Sequence, residues 1–284
     1  MNSLVHSETS NKVMRLKFWL IAVSGISFLV AVITAAQFSN SFQNFFSSIT
    51  SSQSQVGCQQ KITYGKSVAG KEIQACQISG STNDSQNALL VIGTIHGNEP
   101  DGMRVVDELL KYPAPEGTEI WVIRDGNPDG SELVTRRNAN KVDINRNFPI
   151  KWLASDPSLR TYSGPSPASE PETVALMNAV QKIKPTRIVV FHQPFDQIDC
   201  PPERTTQISD RLSGLTGYRF ECIPGEKSGS VTNSYTGTFT IWVNSIFPKT
   251  TAVTFELGLT TMDAKIKTIS NALHTLALDK AYLP

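Results

Sequence analysis

Two of the four histidines in this chain, His96 and His192, each stand just beyond a continuous apolar run. His96 opens His96-Gly97-Asn98-Glu99, which sets a nitrogen donor and an oxygen donor close together on one turn. His192 follows Arg187–Phe191 (RIVVF) directly and offers a second nitrogen from a distant part of the chain. Two histidines and one carboxylate suit a catalytic zinc ion, one per chain, with a coordination position left open. Such an ion lowers the pKa of water and polarises a carbonyl group. Taken alone, H-x-x-E is weak, because a structural loop histidine beside a solvated glutamate reads the same way. His6 and His274 fall in the leading tail and the last helix, so the two remaining histidines both end buried runs.

Water activation also needs a general base, and Glu256 is the candidate. It follows Ala252–Phe255 (AVTF), where a charge is costly unless it has a partner or a task. A paired structural carboxylate is the plainer alternative. The oxyanion of acyl transfer needs a cation or dipole. Arg136 and its neighbour Arg137 are rivals for that place, just past the turn Asn127-Pro128-Asp129-Gly130. Asp143-Ile144-Asn145-Arg146-Asn147-Phe148 adds another arginine among amides, and arginine suits bidentate carboxylate recognition.

Elements capable of bringing these residues together can be read from periodicity. Ala88–Gly93 reads as a strand buried on both faces, Glu119–Arg124 as a strand, and Arg187–Phe191 and Ala252–Phe255 as further short apolar strands. Gly102–Lys111, Ser169–Lys184 and Ala264–Ala281 read as helices, the second with Ser169 as N-cap and Glu172 completing a capping box. Strands alternating with helices imply an α/β/α sandwich around a mixed, mostly parallel sheet. Ligands of such sheets bind beyond the carboxyl ends of the strands. His96, Asn127, His192 and Glu256 all follow strand runs, as a cleft at that edge requires.

The rest of the chain bears on where this chemistry would operate. Phe18–Ala36 is an uncharged apolar run of 19 residues behind Lys12, Arg15 and Lys17. At about 1.5 Å per helical residue it matches a bilayer core, with the basic flank on the cytoplasmic side. A retained anchor and a cleaved signal segment are the two readings, and both place the body outside the cytoplasm. The expected organisation is a cytoplasmic tail (1–17), the apolar segment (18–36), a Ser/Gln-rich linker (37–57) and one catalytic domain (58–284). Cys58, Cys76, Cys200 and Cys222 read as two disulfides in that compartment, with three connectivities open. The sequential pairs Cys58–Cys76 and Cys200–Cys222 are preferred because each closes a short loop. A formal net charge of +1 with no basic stripe argues against a nucleic-acid partner.

Taken in order, His96-Gly97-Asn98-Glu99, Asn127-Pro128-Asp129-Gly130, Val142 to Phe148, Glu170-Pro171-Glu172-Thr173, His192 and Phe255-Glu256 resemble the M14 family of zinc carboxypeptidases. Thr135 to Asn140, Tyr162-Ser163-Gly164-Pro165 and Phe191-His192-Gln193-Pro194 look most like its bacterial murein-peptide amidase branch. Members of that branch cut between D-glutamate and diaminopimelate in cell-wall peptides. The resemblance implies a zinc metallopeptidase with His96, Glu99 and His192 on the metal and Glu256 as base. It implies Arg136 at the oxyanion, and Asn145 and Arg146 on the terminal carboxylate of a peptide substrate. Tyr235, in Tyr235-Thr236-Gly237-Thr238, stands near the place of the family's mobile tyrosine, closer to the glycine than usual and with Thr for Ser. A deacylase of N-acyl amino acids and an inactive membrane-tethered binding module are the alternatives on the same fold.

Overall fold

The computed structural model describes residues 57–79, 88–201, 204–222 and 235–279. Its centre is built from short runs of aliphatic residues with no polar face. Strand β3 (Ala88–Ile92) is buried at all five positions, as is β4 (Glu119–Ile123), while β5 (Arg187–His192) is buried at all six. Such runs can satisfy their backbone only by pairing on both sides. They do so with β1 (Gln60–Lys66), β2 (Glu72–Ser79), β6 (Phe195–Ile198), β7 (Arg219–Phe220) and β8 (Thr251–Gly258) in one eight-stranded sheet of order β1-β2-β4-β3-β5-β8-β6-β7. The contiguous core β4-β3-β5-β8 is parallel, and antiparallel pairs β1/β2, β2/β4 and β6/β8 flank it.

The period of two in a strand divides each run between two cores. Leu89, Val91, Val189, Phe191, Val253 and Phe255 face one side. There they meet α1 (Asp101–Leu109), α4 (Gln207–Thr216) and α6 (Asp263–Leu278). Leu90, Ile92, Ile188, Val190 and Ala252 face the other side. Their partners are α3 (Pro171–Ile183) and α5 (Phe239–Ile246). Truncating Leu89, Leu90, Ile92 or Ile188, all fully buried, to alanine costs on the order of 2–5 kcal/mol through lost transfer energy and the cavity left behind. The α/β/α sandwich read from the sequence is the architecture observed.

At the lower edge of the sheet, the first residue of β5 is a fully buried arginine. Arg187 donates to the backbone carbonyls of Leu276, Ala277 (3.3 Å) and Asp279 (2.8 Å) at the end of α6, where the Leu276 carbonyl also accepts the Asp279 N–H (3.2 Å).

Several local expectations need correction. The third helix begins at Pro171, with Glu170 in the N-cap position and no side-chain cap. Pro171 sets the first helical residue, where its missing N–H costs nothing. Ser169 instead donates to Glu170 (2.7 Å), and Glu172 turns away to the Val68 amide and Asn138, so no capping box forms. Glu256 lies inside β8, not after it, because β6 returns alongside and extends the pairing to Gly258. The hairpin β1/β2, β6, α4 and α5 stand outside that reading; α5 is apolar, but at eight residues it is no longer than a strand. Both preferred disulfides are present, Cys58–Cys76 and Cys200–Cys222, with Cα separations of 5.2 and 4.8 Å. Among the described residues no helix is long and apolar enough to cross a membrane. The tail, the Phe18–Ala36 run and the linker through residue 56 lie outside the described residues.

Candidate metal centre and cleft

The carboxyl ends of β3, β5 and β8 open onto a cleft of about 180 Å³. His96 lies just beyond β3 on a turn held by Glu99 N–H donating to the His96 carbonyl (3.0 Å), with Thr94 Oγ1 donating to the same oxygen (2.6 Å). This turn runs against the short helix α2 (Pro128–Glu132) so closely that a Cβ on Gly97 would stand 1.9 Å from the Gly130 carbonyl carbon. Only glycine fits there, and its presence allows the His96 turn to pack on the Asn127 turn.

The turn folds Glu99 back toward His96, and β5 delivers His192 from the next strand. His96 Nδ1, Glu99 Oε2 and His192 Nδ1 form a triangle with sides of 2.9, 3.0 and 3.1 Å. All three residues are buried. Tetrahedral zinc with bonds of about 2.0–2.1 Å places its ligands roughly 3.3 Å apart, close to this triangle. His96 Nε2 lies 3.0 Å from Asp143 Oδ1, an acceptor-only partner that makes Nε2 the protonated nitrogen and turns the Nδ1 lone pair into the triangle. Two inward-facing nitrogens and a carboxylate at these distances form a donor set that fits a divalent cation.

Asp143 joins the metal triangle to the arginine. Its Oδ2 accepts from Arg136 Nε at 2.8 Å, and Arg136 Nη1 donates to Glu99 Oε1 at 3.2 Å. Burial alone would raise the pKa of Asp143, but His96 and Arg136 outweigh it and hold the carboxyl well below the usual range. Glu99 behaves alike: burial pushes up, His96 and His192 prevail, and the group stays ionised. Glu256 responds in the opposite direction. Burial drives its pKa up to about 7, with His192 opposing and the Glu99 charge adding to the rise. Its buried Oε2 has no hydrogen-bond partner among the described residues. A carboxyl poised near neutrality beside a metal-type donor set is suited to proton transfer.

The other expected residues also reach the cleft. Asn145 and Arg146 sit in a 3-10 turn (Ile144–Arg146) whose Asp143 N-cap accepts from the Asn145 amide at 3.0 Å. Asn145 Oδ1 accepts from the Phe239 amide (2.8 Å), and Arg146 Nη1 donates to the Asn145 carbonyl (2.7 Å). Tyr235 lines the cleft, its ring centroid 5.7 Å from the Arg146 guanidinium carbon. Gly237 follows with a positive φ of 63°, and a Cβ there would stand 2.5 Å from the Arg146 carbonyl oxygen. Glycine thus lets the Tyr235 segment lie on the Asn145-Arg146 turn. Arg136 and Arg137 separate cleanly: Arg136 lines the cleft, whereas Arg137 donates to the carbonyls of Leu159 (3.3 Å) and Pro157 (3.5 Å).

Some residues in and behind the cleft escaped sequence reading. Asp143 stood inside a recognised motif without a role. Thr254 shares the face of Glu256, two residues before it on β8, and Asp199 follows the weakly apolar β6. Their local sequences carry no signal, since only strand pairing brings them to the cleft.

Comparison with known proteins bears on the family and the fold. The profile of the zinc carboxypeptidase family matches residues 49–198, just over half of the chain. Murein peptide amidase A of Escherichia coli K12 is 33% identical over 150 residues, 49% of this chain and 61% of the relative. Carboxypeptidase SOL1 of Arabidopsis thaliana is 30% identical over 142 residues, 45% of this chain and 28% of that protein. The matches therefore span about three fifths or less of these relatives. Among solved structures, murein-tripeptide amidase from Escherichia coli O157 superposes with a TM-score of 0.64 at 24% identity, covering 78% of this chain and 92% of the other. Carboxypeptidase A from Helicoverpa armigera gives 0.62 at 15% identity over 78% and 68%. These likenesses establish the fold. On the matched profile, the chain belongs to the zinc carboxypeptidase family of peptidases.

Proposed function

We propose that this protein is a zinc-dependent carboxypeptidase or amidase that hydrolyses a peptide or γ-glutamyl amide bond next to a free terminal carboxylate. The observation that carries this reading is the triangle of His96 Nδ1, Glu99 Oε2 and His192 Nδ1, with sides of 2.9–3.1 Å, beside a Glu256 whose pKa is pushed up to about 7. His96, Glu99 and His192 would hold the zinc. When bound, the ion supplies a Lewis acid that polarises the scissile carbonyl and makes water a nucleophile near neutral pH.

The chain's own side chains account for the rest. Glu256 takes a proton from the attacking water and returns it to the departing nitrogen, which requires a carboxyl that can exchange protons near neutrality. Arg136, fixed by Asp143 and Glu99, holds its guanidinium toward the carbonyl oxygen as negative charge develops. Asn145 and Arg146 grip the terminal carboxylate, and Tyr235 covers that end of the cleft. Exclusion of water by this cover strengthens each charge interaction.

Likeness to murein peptide amidases supports cell-wall peptides as the substrate class. The two disulfides and the Phe18–Ala36 run support an extracytoplasmic catalytic domain (58–284), tethered by residues 37–57 to a membrane anchor or released by cleavage. The test is turnover of the cell-wall tripeptide L-alanyl-γ-D-glutamyl-diaminopimelate beside a series of simple C-terminal peptides, with and without a chelator. Release of diaminopimelate that stops on chelation supports the reading. Turnover indifferent to the chelator sinks it.

A further inference from the structure

The wall behind the cleft contains two fully or nearly fully buried carboxylates, Glu170 and Glu172, that belong to neither the metal triangle nor the proton path. Both converge on one amide. Asn138 Nδ2 donates one hydrogen to Glu170 Oε2 (2.7 Å) and the other to Glu172 Oε2 (2.9 Å). Glu172 Oε1 accepts the Val68 N–H at 3.0 Å, and Glu170 Oε1 accepts from Ser169 at 2.7 Å. A buried carboxylate is costly unless its oxygens are bonded, so these acceptors keep Asn138 in one orientation.

Asn138 in turn closes a tight turn. Its Oδ1 accepts the Val142 N–H (3.0 Å), its own N–H donates to the Val142 carbonyl (2.9 Å), and Lys141 within the turn adopts a positive φ of 62°. The two ends of that turn carry Arg136, two residues before Asn138, and Asp143, one residue after Val142. These two meet at 2.8 Å. We propose that Glu172 and Asn138 form a positioning pair that closes the 138–142 turn and thereby holds Arg136 against Asp143 in the orientation needed at the scissile carbonyl. Neither residue touches the substrate. Their effect passes through Arg136.

This inference rests on the reading of Arg136 as the oxyanion partner, and a double-mutant cycle separates the two. The kinetic parameters kcat and KM are measured on the cell-wall tripeptide for the wild type, Asn138→Ala, Arg136→Ala and the double variant, all well below their unfolding temperatures. Asn138→Ala is expected to lower kcat roughly 10- to 50-fold in the wild-type background with KM altered less than about threefold, yet to change kcat less than about threefold once Arg136 is absent. Hydrogen exchange at the Val142 amide should quicken in the same variant. Equal losses in both backgrounds overturn the proposal, because a residue serving general stability multiplies through, and so does an unchanged kcat in Asn138→Ala. Full kcat in Arg136→Ala removes the oxyanion role itself, a result distinct from additivity. Should Asn138→Ala fail to fold, Glu172→Gln, which sets an NH₂ group against a donor, passes through the same cycle with the same criteria.

Discussion

His192 ends β5, and Glu256 stands opposite it in register on the neighbouring parallel strand β8. Adjacent strands lie about 4.8 Å apart, so a metal-ligating type of side chain and the carboxyl proposed for proton transfer are separated by one strand spacing. The two can be separated by mutation. Glu256→Gln should keep the donor triangle and bind zinc near one equivalent while kcat falls by about 10²–10⁴. His192→Ala should lose both zinc and turnover. Metal analysis of dialysed protein alongside kcat checks this, and near-normal turnover by Glu256→Gln would exclude the proposed base.

The same carboxyl makes a signed statement about stability. In metal-free protein Glu256 keeps its proton up to about pH 7, whereas the unfolded chain releases it near the ordinary glutamate value of 4.5. Folding therefore weakens as pH rises between those values, and the loss is complete above pH 7. At about 1.4 kcal/mol per pKa unit it reaches up to about 3 kcal/mol. Glu256→Gln removes this slope. Urea unfolding of the metal-free wild type and variant at pH 5 and 8 should show the variant gaining on the wild type at the higher pH; parallel behaviour would contradict the burial argument.

Asp143 orients His96 through Nε2 and Arg136 through Nε at once. Groups that orient a metal-ligating histidine typically govern affinity by 10- to 100-fold. Asp143→Asn is therefore expected to weaken zinc binding by about that factor and to lower kcat as well, since Arg136 loses its anchor. Competition with a chromophoric chelator reads the first effect independently of catalysis.

Arg136 and Arg137 are chemically identical neighbours with different surroundings. Arg136→Ala should lower kcat about 10²–10³-fold, the scale of a lost oxyanion donor, whereas Arg137→Ala should stay within about threefold. Steady-state kinetics on one substrate decides, and a larger loss for Arg137 would reverse the assignment.

Arg187 lies at the opposite edge of the sheet and should affect stability alone. Arg187→Ala leaves the carbonyls of Leu276, Ala277 and Asp279 without their buried donor, so unfolding free energy should fall by about 3 kcal/mol. The KM of the folded variant should be unchanged. Chemical denaturation and kinetics together test both halves.

Which residues gather in the candidate site was largely legible from the sequence, for a physical reason. Strands buried on both faces must be continuous apolar runs, so a polar residue at their ends stands out, and His96, His192 and Glu256 did. Short-range preferences also located the parallel core and the paired cysteines. What only the tertiary structure decided is everything that depends on which strands become neighbours and which way a side chain turns. Nothing local distinguishes Arg136 from Arg137; the Asp143 carboxylate and the Leu159 carbonyl do. Nothing local says that Glu172 serves Asn138 instead of capping its own helix, because the competing partner lies 34 residues away. Asp199 reaches the cleft because β6, which it follows, pairs antiparallel with β8, and Thr254 because it shares the face of Glu256 on β8. Sequence supplied the donor atoms, and the register of β5 against β8 set the spacing at which they can act together.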